Sequence, residues 1–275
     1  MNINTRYFFR FTSVFGLLWL FVEPFGLFFS KIDFGWIDYI ILIVISILIS
    51  IIMIFRESSK EIVHKIASSD TTITIKIGDL FEQKEHLVIG LNDVFDTELG
   101  DIIKSTSVQG QFLSKIYDGD IKKLNEDIQS ALIEFDNYKF IDNTKVRGKN
   151  ERYPIGTTIV LGSARNRYFL TAYGKMNSDL HVTSTGDDVW KSLYQLWDVV
   201  RLNAHGGDVS IPLIGTDLAR TNLPRMSTIM LIILSYTAAS KQKMITNNLN
   251  IIIYPRDLDK IDIYELNNFL KSIRL

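Results

Sequence analysis

The chain has 275 residues, with 30 Lys and Arg against 31 Asp and Glu and a net charge of −1. Residues 57–275 keep the same balance, 26 basic against 28 acidic, which excludes the positive field that nucleic-acid binding rests on. Cysteine is absent, which excludes disulfides, thiolate metal sites and a cysteine nucleophile and fits a reducing compartment.

Two apolar segments open the chain. Phe11–Phe29 carries Glu23 and Pro24 near its end, whereas Tyr39–Phe55 holds no charged residue. At 1.5 Å per residue the second segment reaches about 26 Å, and extension back to Phe34 makes a full membrane span. The linker Ser30–Gly35 allows only a tight hairpin. No small-residue cleavage site follows the first run, which speaks against a signal peptide. The second run lacks the polar stripe of a soluble helix. Glu23 falls at the hairpin end, where its charge reaches the interface beside the belt aromatics Trp19 and Trp36. Arg6 and Arg10 precede the first span, and Arg56, Lys60 and Lys65 follow the second. The turn offers only Lys31 against Asp33 and Asp38. Positive-inside logic then puts both termini and the globular part in the cytoplasm.

Glu57–Asp70 reads as a charged connector, helical at first. Thr72–Ile77 alternates as a strand, and Leu87–Leu91 is a short apolar run. Asp120–Phe135 has helical spacing, while Asp136–Arg152 is polar and basic and reads as a surface loop or insertion. Ile155–Leu161 and Tyr168–Tyr173 read as strands joined by a polar turn. Thr185–Asn203 is a helix, with Thr185 as cap, Asp187 and Asp188 in the first turn and Val189, Leu193, Leu196 and Val200 on one face. Val209–Pro212 is a buried strand, and Pro224–Ala239 an apolar helix with Pro in its first turn. Asn250–Tyr254 is a strand and Asp262–Ile273 a final helix. Strand and helix alternate through the second half, so an α/β sheet flanked by helices is expected. The domains read as a hairpin over 1–56, a connector over 57–70 and a ligand-binding domain over 71–275.

Three short motifs could carry chemistry. Gly78-Asp79-Leu80 follows the first soluble strand, and an Asp there can accept from an amine; it is also a common turn. Gly90-Leu91-Asn92 ends the second run, and Asn offers both donor and acceptor to a hydroxyl pair; it could equally cap a helix. Ile214–Arg220 joins a strand to a helix. Gly215 lets the backbone approach a phosphate, the following N–H groups can bind it, and Arg220 supplies a cation. Asp217 must point away. His64, His86, His181 and His205 lack metal-ligand spacing. No Walker A, G-x-S-x-G or G-x-G-x-x-G signature occurs.

In order and spacing, residues 71–273 resemble a macrodomain, the three-layer α/β/α fold with a mixed sheet that binds ADP-ribose. Ile75–Leu80 is similar to the family's strand ending in Gly-Asp-Ile, which implies that Asp79 binds adenine. Val88–Asn92 resembles the strand and loop that hold the distal ribose. Pro154–Leu161 and Phe169–Gly174 match the next two strands. Pro212–Arg220 resembles the diphosphate loop, and Tyr254 falls where an aromatic often lies near adenine. The ligand-binding set implied is Asp79, Leu80, Gly90, Leu91, Asn92, Ile214, Gly215, Thr216, Asp217, Leu218, Ala219, Arg220 and Tyr254. Two departures speak against hydrolysis: Asp93–Gly100 (DVFDTELG) replaces the glycine triplet of hydrolytic members, and Asp217 stands where glycine is usual.

The hairpin joined to such a domain resembles the membrane effector of type II Thoeris anti-phage systems. That resemblance implies a bacterial inner-membrane protein, a partner TIR enzyme that consumes NAD, and a histidine-linked signal derived from ADP-ribose. It implies a homo-oligomer that disrupts the bilayer, with no metal or cofactor and no nucleic acid. The alternatives are an anchored reader of ADP-ribosylated protein, or an ADP-ribosyl hydrolase with Asp93, Asp96 or Asp101 as base.

Overall fold

Two helices form the first of two units, residues 1–60 and 61–275. The computed structural model describes residues 3–28, 35–57, 61–66, 70–145, 147–215, 221 and 223–273. Helix α1 spans Ile3–Phe28 and runs through Pro24, and α2 spans Trp36–Glu57. Asp38 caps α2 by accepting from Gly35 N at 2.9 Å. The helices meet where Trp19 stacks on Tyr39, ring centroids 5.7 Å apart. Glu23 accepts from Trp19 Nε1 at 3.0 Å. Ser46 and Ser50 turn their hydroxyls back onto the carbonyls of Leu42 and Ser46, the usual way to satisfy a hydroxyl inside a helix. Among the described residues only Trp36–Met53 is long and apolar enough to cross a membrane, and the apolar stretch of α1, Phe11–Pro24, is shorter. Most of the expected turn, including Lys31 and Asp33, lies outside the described residues.

In the second unit a mixed sheet is built from β1 (Ile62–Ile66), β2 (Thr71–Ile77), β3 (His86–Asn92), β6 (Thr158–Gly162), β7 (Arg167–Met176), β8 (Val182–Thr183), β9 (Val209–Pro212) and β10 (Asn248–Ile253). A separate hairpin pairs β4 (Phe140–Ile141) with β5 (Glu151–Arg152). The main order is β1-β2-β10-β9-β3-β7-β6, with β8 beside β7. The five inner strands run parallel, and β1 and β6 close the edges antiparallel.

The parallel strands are apolar on both faces, as covered strands must be. In β10, Ile251 and Ile253 face one core and Ile252 the other. The first core packs under α5 (Gly186–Asn203), α6 (Arg225–Ser240) and α7 (Ile263–Ser272), through side chains such as Trp197, Tyr236 and Leu266. The second packs under α3 (Val108–Ile116) and α4 (Ile121–Leu132), through Phe112, Leu124 and Ile128. A small third cluster joins Val94, Ile102, Ile103 and Met176. The result is three layers, helices on both faces of a mixed sheet.

Several expectations need correction. The connector holds β1, because Ile62 and Ile66 alternate inward against β2. Ile155 and Gly156 belong to a turn before β6, with Gly156 at φ +98°, so that strand begins at Thr158. Pro224 is the cap of α6, extended at φ −56° and ψ 146°, and not a first-turn residue. The basic stretch after 136 contains β4 and β5. By contrast, Thr185 does cap α5, in a reciprocal box with Asp188.

Candidate ligand-binding site

Parallel strands deliver their carboxyl ends to one edge of a sheet, and ligands of such folds bind beyond that edge where the strand order reverses. Here the edge gathers Asp79 after β2, Tyr254 after β10, Ile214 and Gly215 after β9, and Asn92 at the end of β3. Order reverses between β9 and β3: the chain leaves β3 toward β7 and leaves β9 toward β10.

Asp79 caps the 3₁₀ turn Leu80–Glu82, accepting from Phe81 N at 2.9 Å. Its other oxygen meets Lys115 Nζ at 2.6 Å. Burial works to raise the Asp79 pKa, but the Lys115 ammonium and the Phe81 N–H outweigh it and hold the carboxyl below its usual value. Leu80 and Leu91 turn their side chains into the second core, so any ligand contact from them is by backbone. Tyr254 is half exposed, with the Arg256 guanidinium 5.7 Å from its ring centroid.

Gly90 is closed in from the side. A Cβ there would come 2.7 Å from Tyr173 Cε1 and 3.5 Å from Ile214 Cγ2. Gly215 has φ +84°, and its carbonyl accepts from Thr221 Oγ1 at 2.7 Å. The remainder of the expected phosphate loop, Thr216, Asp217, Leu218, Ala219 and Arg220, lies outside the described residues.

Asn92 is 2% exposed. Its Oδ1 accepts from Val94 N at 3.2 Å and Asp96 N at 3.1 Å, while Nδ2 is a buried donor with no protein partner. Buried donors are almost always paired, and this one lacks a partner among the described residues. Next to it, Asp93 accepts from Met176 N at 2.9 Å and pairs with Arg152 at 2.7 Å. Burial raises the Asp93 pKa, against the pull of the Met176 N–H and the Arg152 cation.

Two clefts of about 440 Å³ each reach Asp93 and Val94, the residues that follow Asn92, and neither is lined by Asn92, Asp79 or Gly215. One is lined by Asp93, Phe140, Arg152, Lys175 and Lys191 among others, the second by Val94, Lys139, Lys149 and Tyr153 among others. Lys115, Lys145 and Arg152 were not singled out by spacing. Their only sequence signal is position: Lys145 and Arg152 fall in the basic stretch after 136, and Lys115 falls on α3, a helix that the spacing does not predict. His86 serves the fold, its Nδ1 accepting from Arg167 N at 3.0 Å. No metal-binding cluster occurs among the described residues.

Residues 73–254 match the family model described as Thoeris protein ThsA, Macro domain. The chain belongs to that family. No curated protein sequence matches it significantly. Among solved structures, its macrodomain is similar to the Oceanobacillus iheyensis macrodomain with MES bound, at 12% identity and a TM-score of 0.53 over 78% of this chain and 99% of that one. The same protein with ADP superposes with a TM-score of 0.52 at 14% identity, covering 78% and 97%. A mutant of it with ADPR gives 0.54 at 14%, covering 78% and 100%. At such identities the likeness establishes the fold alone.

Proposed function

We propose that this protein senses an ADP-ribose-type nucleotide and passes its arrival to a bilayer. The observation that carries the reading is the convergence of Asp79, Tyr254, Gly215 and Asn92 at one sheet edge, in the strand order β2, β10, β9, β3. That order follows the order of groups along ADP-ribose. Asp79 accepts from the adenine amine beside the Tyr254 ring. The backbone opened by Gly215 takes the diphosphate. Asn92 Nδ2 donates to a distal ribose hydroxyl.

A sensor is favoured over a hydrolase because the carboxylates near Asn92 are engaged. Asp93 is paired with Arg152 and Asp96 with Lys145, both out of solvent, while Asp101 meets Arg147 at the surface, where such a pair holds weakly. A general base must be within reach of its proton and free to take it. The signal proposed is histidine-linked ADP-ribose made by a partner TIR enzyme from NAD. The α1–α2 hairpin is proposed to cross the inner membrane twice, with both termini and the macrodomain cytoplasmic. Ligand shifts the macrodomain toward a self-associating state, and the gathered hairpins disrupt the bilayer.

The test is calorimetric titration of the full chain in detergent with ADP-ribose and with its histidine conjugate, beside Asp79→Ala, followed by dye release from liposomes. Tighter binding of the conjugate, loss of binding in the variant and ligand-dependent leakage support the sensor. Absence of binding to either compound overturns it. Binding with no leakage at saturation moves the protein to the class of anchored readers.

A further inference from the structure

Asn92 does not set its own direction. Its Oδ1 is held by the N–H groups of Val94 and Asp96, so the side-chain amide follows the turn 93–96. That turn is gripped from one side by Lys145 and Lys149. Lys145 Nζ, 0% exposed, reaches Asp96 Oδ2 at 3.0 Å and the carbonyls of Arg147 and Lys149 at 2.7 Å each. All three ammonium donors are therefore used. Asp96, 1% exposed, takes Lys149 N on its Oδ1 at 2.7 Å, and Lys149 Nζ donates to Phe95 O at 2.8 Å. Gln109 closes the ring by donating to Asp96 O. Gly148, at φ +73°, leaves no room for a side chain: a Cβ would stand 2.5 Å from Asp96 Oδ1 and 2.7 Å from Lys145 Nζ.

A fully buried ion pair is a poor way to gain stability, because an apolar pair of similar volume does as well or better. What such a pair can supply is a unique geometry. Within this network every named polar atom has a partner except Asn92 Nδ2. We propose that Lys145 and Asp96 are positioning residues, a buried clasp that aims the Asn92 amide at the distal ribose of the ligand. The proposal rests on the reading of Asn92 given above. Neither residue touches the ligand; each acts through the turn 93–96.

The experiment uses the full chain in detergent and two ligands, ADP-ribose and ADP, which lacks the distal ribose. Wild type is expected to bind ADP-ribose more tightly than ADP, and Asn92→Ala to remove that difference. Lys145→Met, and separately Gly148→Ala, are expected to weaken ADP-ribose about tenfold, the loss of one well-aimed hydrogen bond, while leaving ADP unchanged. Equal weakening of both ligands would make the clasp merely structural and overturn the proposal, as would unchanged binding of both. If Lys145→Met does not fold, Lys145→Met combined with Asp96→Leu removes both charges at once and must show the same ribose-specific loss. A wild type that binds neither ligand, or an Asn92→Ala that loses nothing, sinks the Asn92 reading itself and is seen before the clasp variants are compared.

Discussion

Gly90→Ala separates a glycine kept for packing from one kept for ligand approach. The added methyl would sit 2.7 and 2.8 Å from Tyr173 Cε1 and Cδ1 and 3.5 Å from Ile214 Cγ2. Carbon atoms prefer about 3.5–4.0 Å, so the ring must retreat by roughly 1 Å. Overpacking of this kind costs about 1–3 kcal/mol, partly offset by the lower entropy of an unfolded chain with Ala, about 0.4–1 kcal/mol. The net loss is about 1–2 kcal/mol, or about 3–6 °C in Tm for a unit of this size. Thermal unfolding of the full chain reads it directly, and Tyr173→Leu in the same chain should return most of the loss as a coupling energy. A wild-type Tm in Gly90→Ala refutes the packing argument. So does a loss of ADP-ribose affinity at unchanged Tm, which would return the glycine to the ligand.

Other outcomes follow from charges and caps. Burial pushes the Lys149 pKa down from 10.5 to about 8. The unfolded chain then holds a proton that the folded chain has shed, so stability should rise from about pH 8 to pH 10; a flat or falling profile in urea titrations would contradict this. Above pH 10 the trend should reverse, because burial holds the Tyr173 hydroxyl protonated up to about 12. Arg152→Met leaves the Asp93 carboxylate buried without its cation. The expected loss is about 3–5 kcal/mol at pH 7 and shrinks as the pH falls, because a carboxyl of raised pKa takes up its proton sooner; a loss that does not change with pH would show that the charge is not responsible. Thr185→Ala removes the capping box of α5 and should cost about 1 kcal/mol by denaturant unfolding, with no change in the cooperativity of the transition.

Local signals with strong periodicity were legible in the sequence. The Thr185 cap, the Leu193 and Leu196 face and the β-branched run at Val209 all describe elements whose partners lie close in the chain or whose burial is complete on both sides. Asp79, Asn92 and Gly215 could be picked out, because each follows a strand signal and their order along the chain resembles that of a macrodomain. The clasp could not be read. Lys145 and Asp96 are 49 residues apart, and a lysine in a polar stretch carries no sign that it will be wholly buried. β1 escaped notice because an edge strand with exposed Val63 and Lys65 looks like solvated connector. The orientation of Gly90 toward Tyr173 depends on pairing between β3 and β7, a long-range register that local spacing does not encode.

The third apolar cluster has a consequence for motion. Val94, Ile102, Ile103 and Met176 pack with one another apart from the two main cores. Stability in a folded chain is not uniform, and a unit with few buried apolar contacts opens at lower cost than the main cores. The wall beside Asn92 is thus a separate module, seated on four apolar side chains and fastened by buried charge. Hydrogen exchange should then find its amides opening before those of the parallel strands. Adaptation to a new group on the ligand would then need changes only in this module, leaving the sheet that presents it intact.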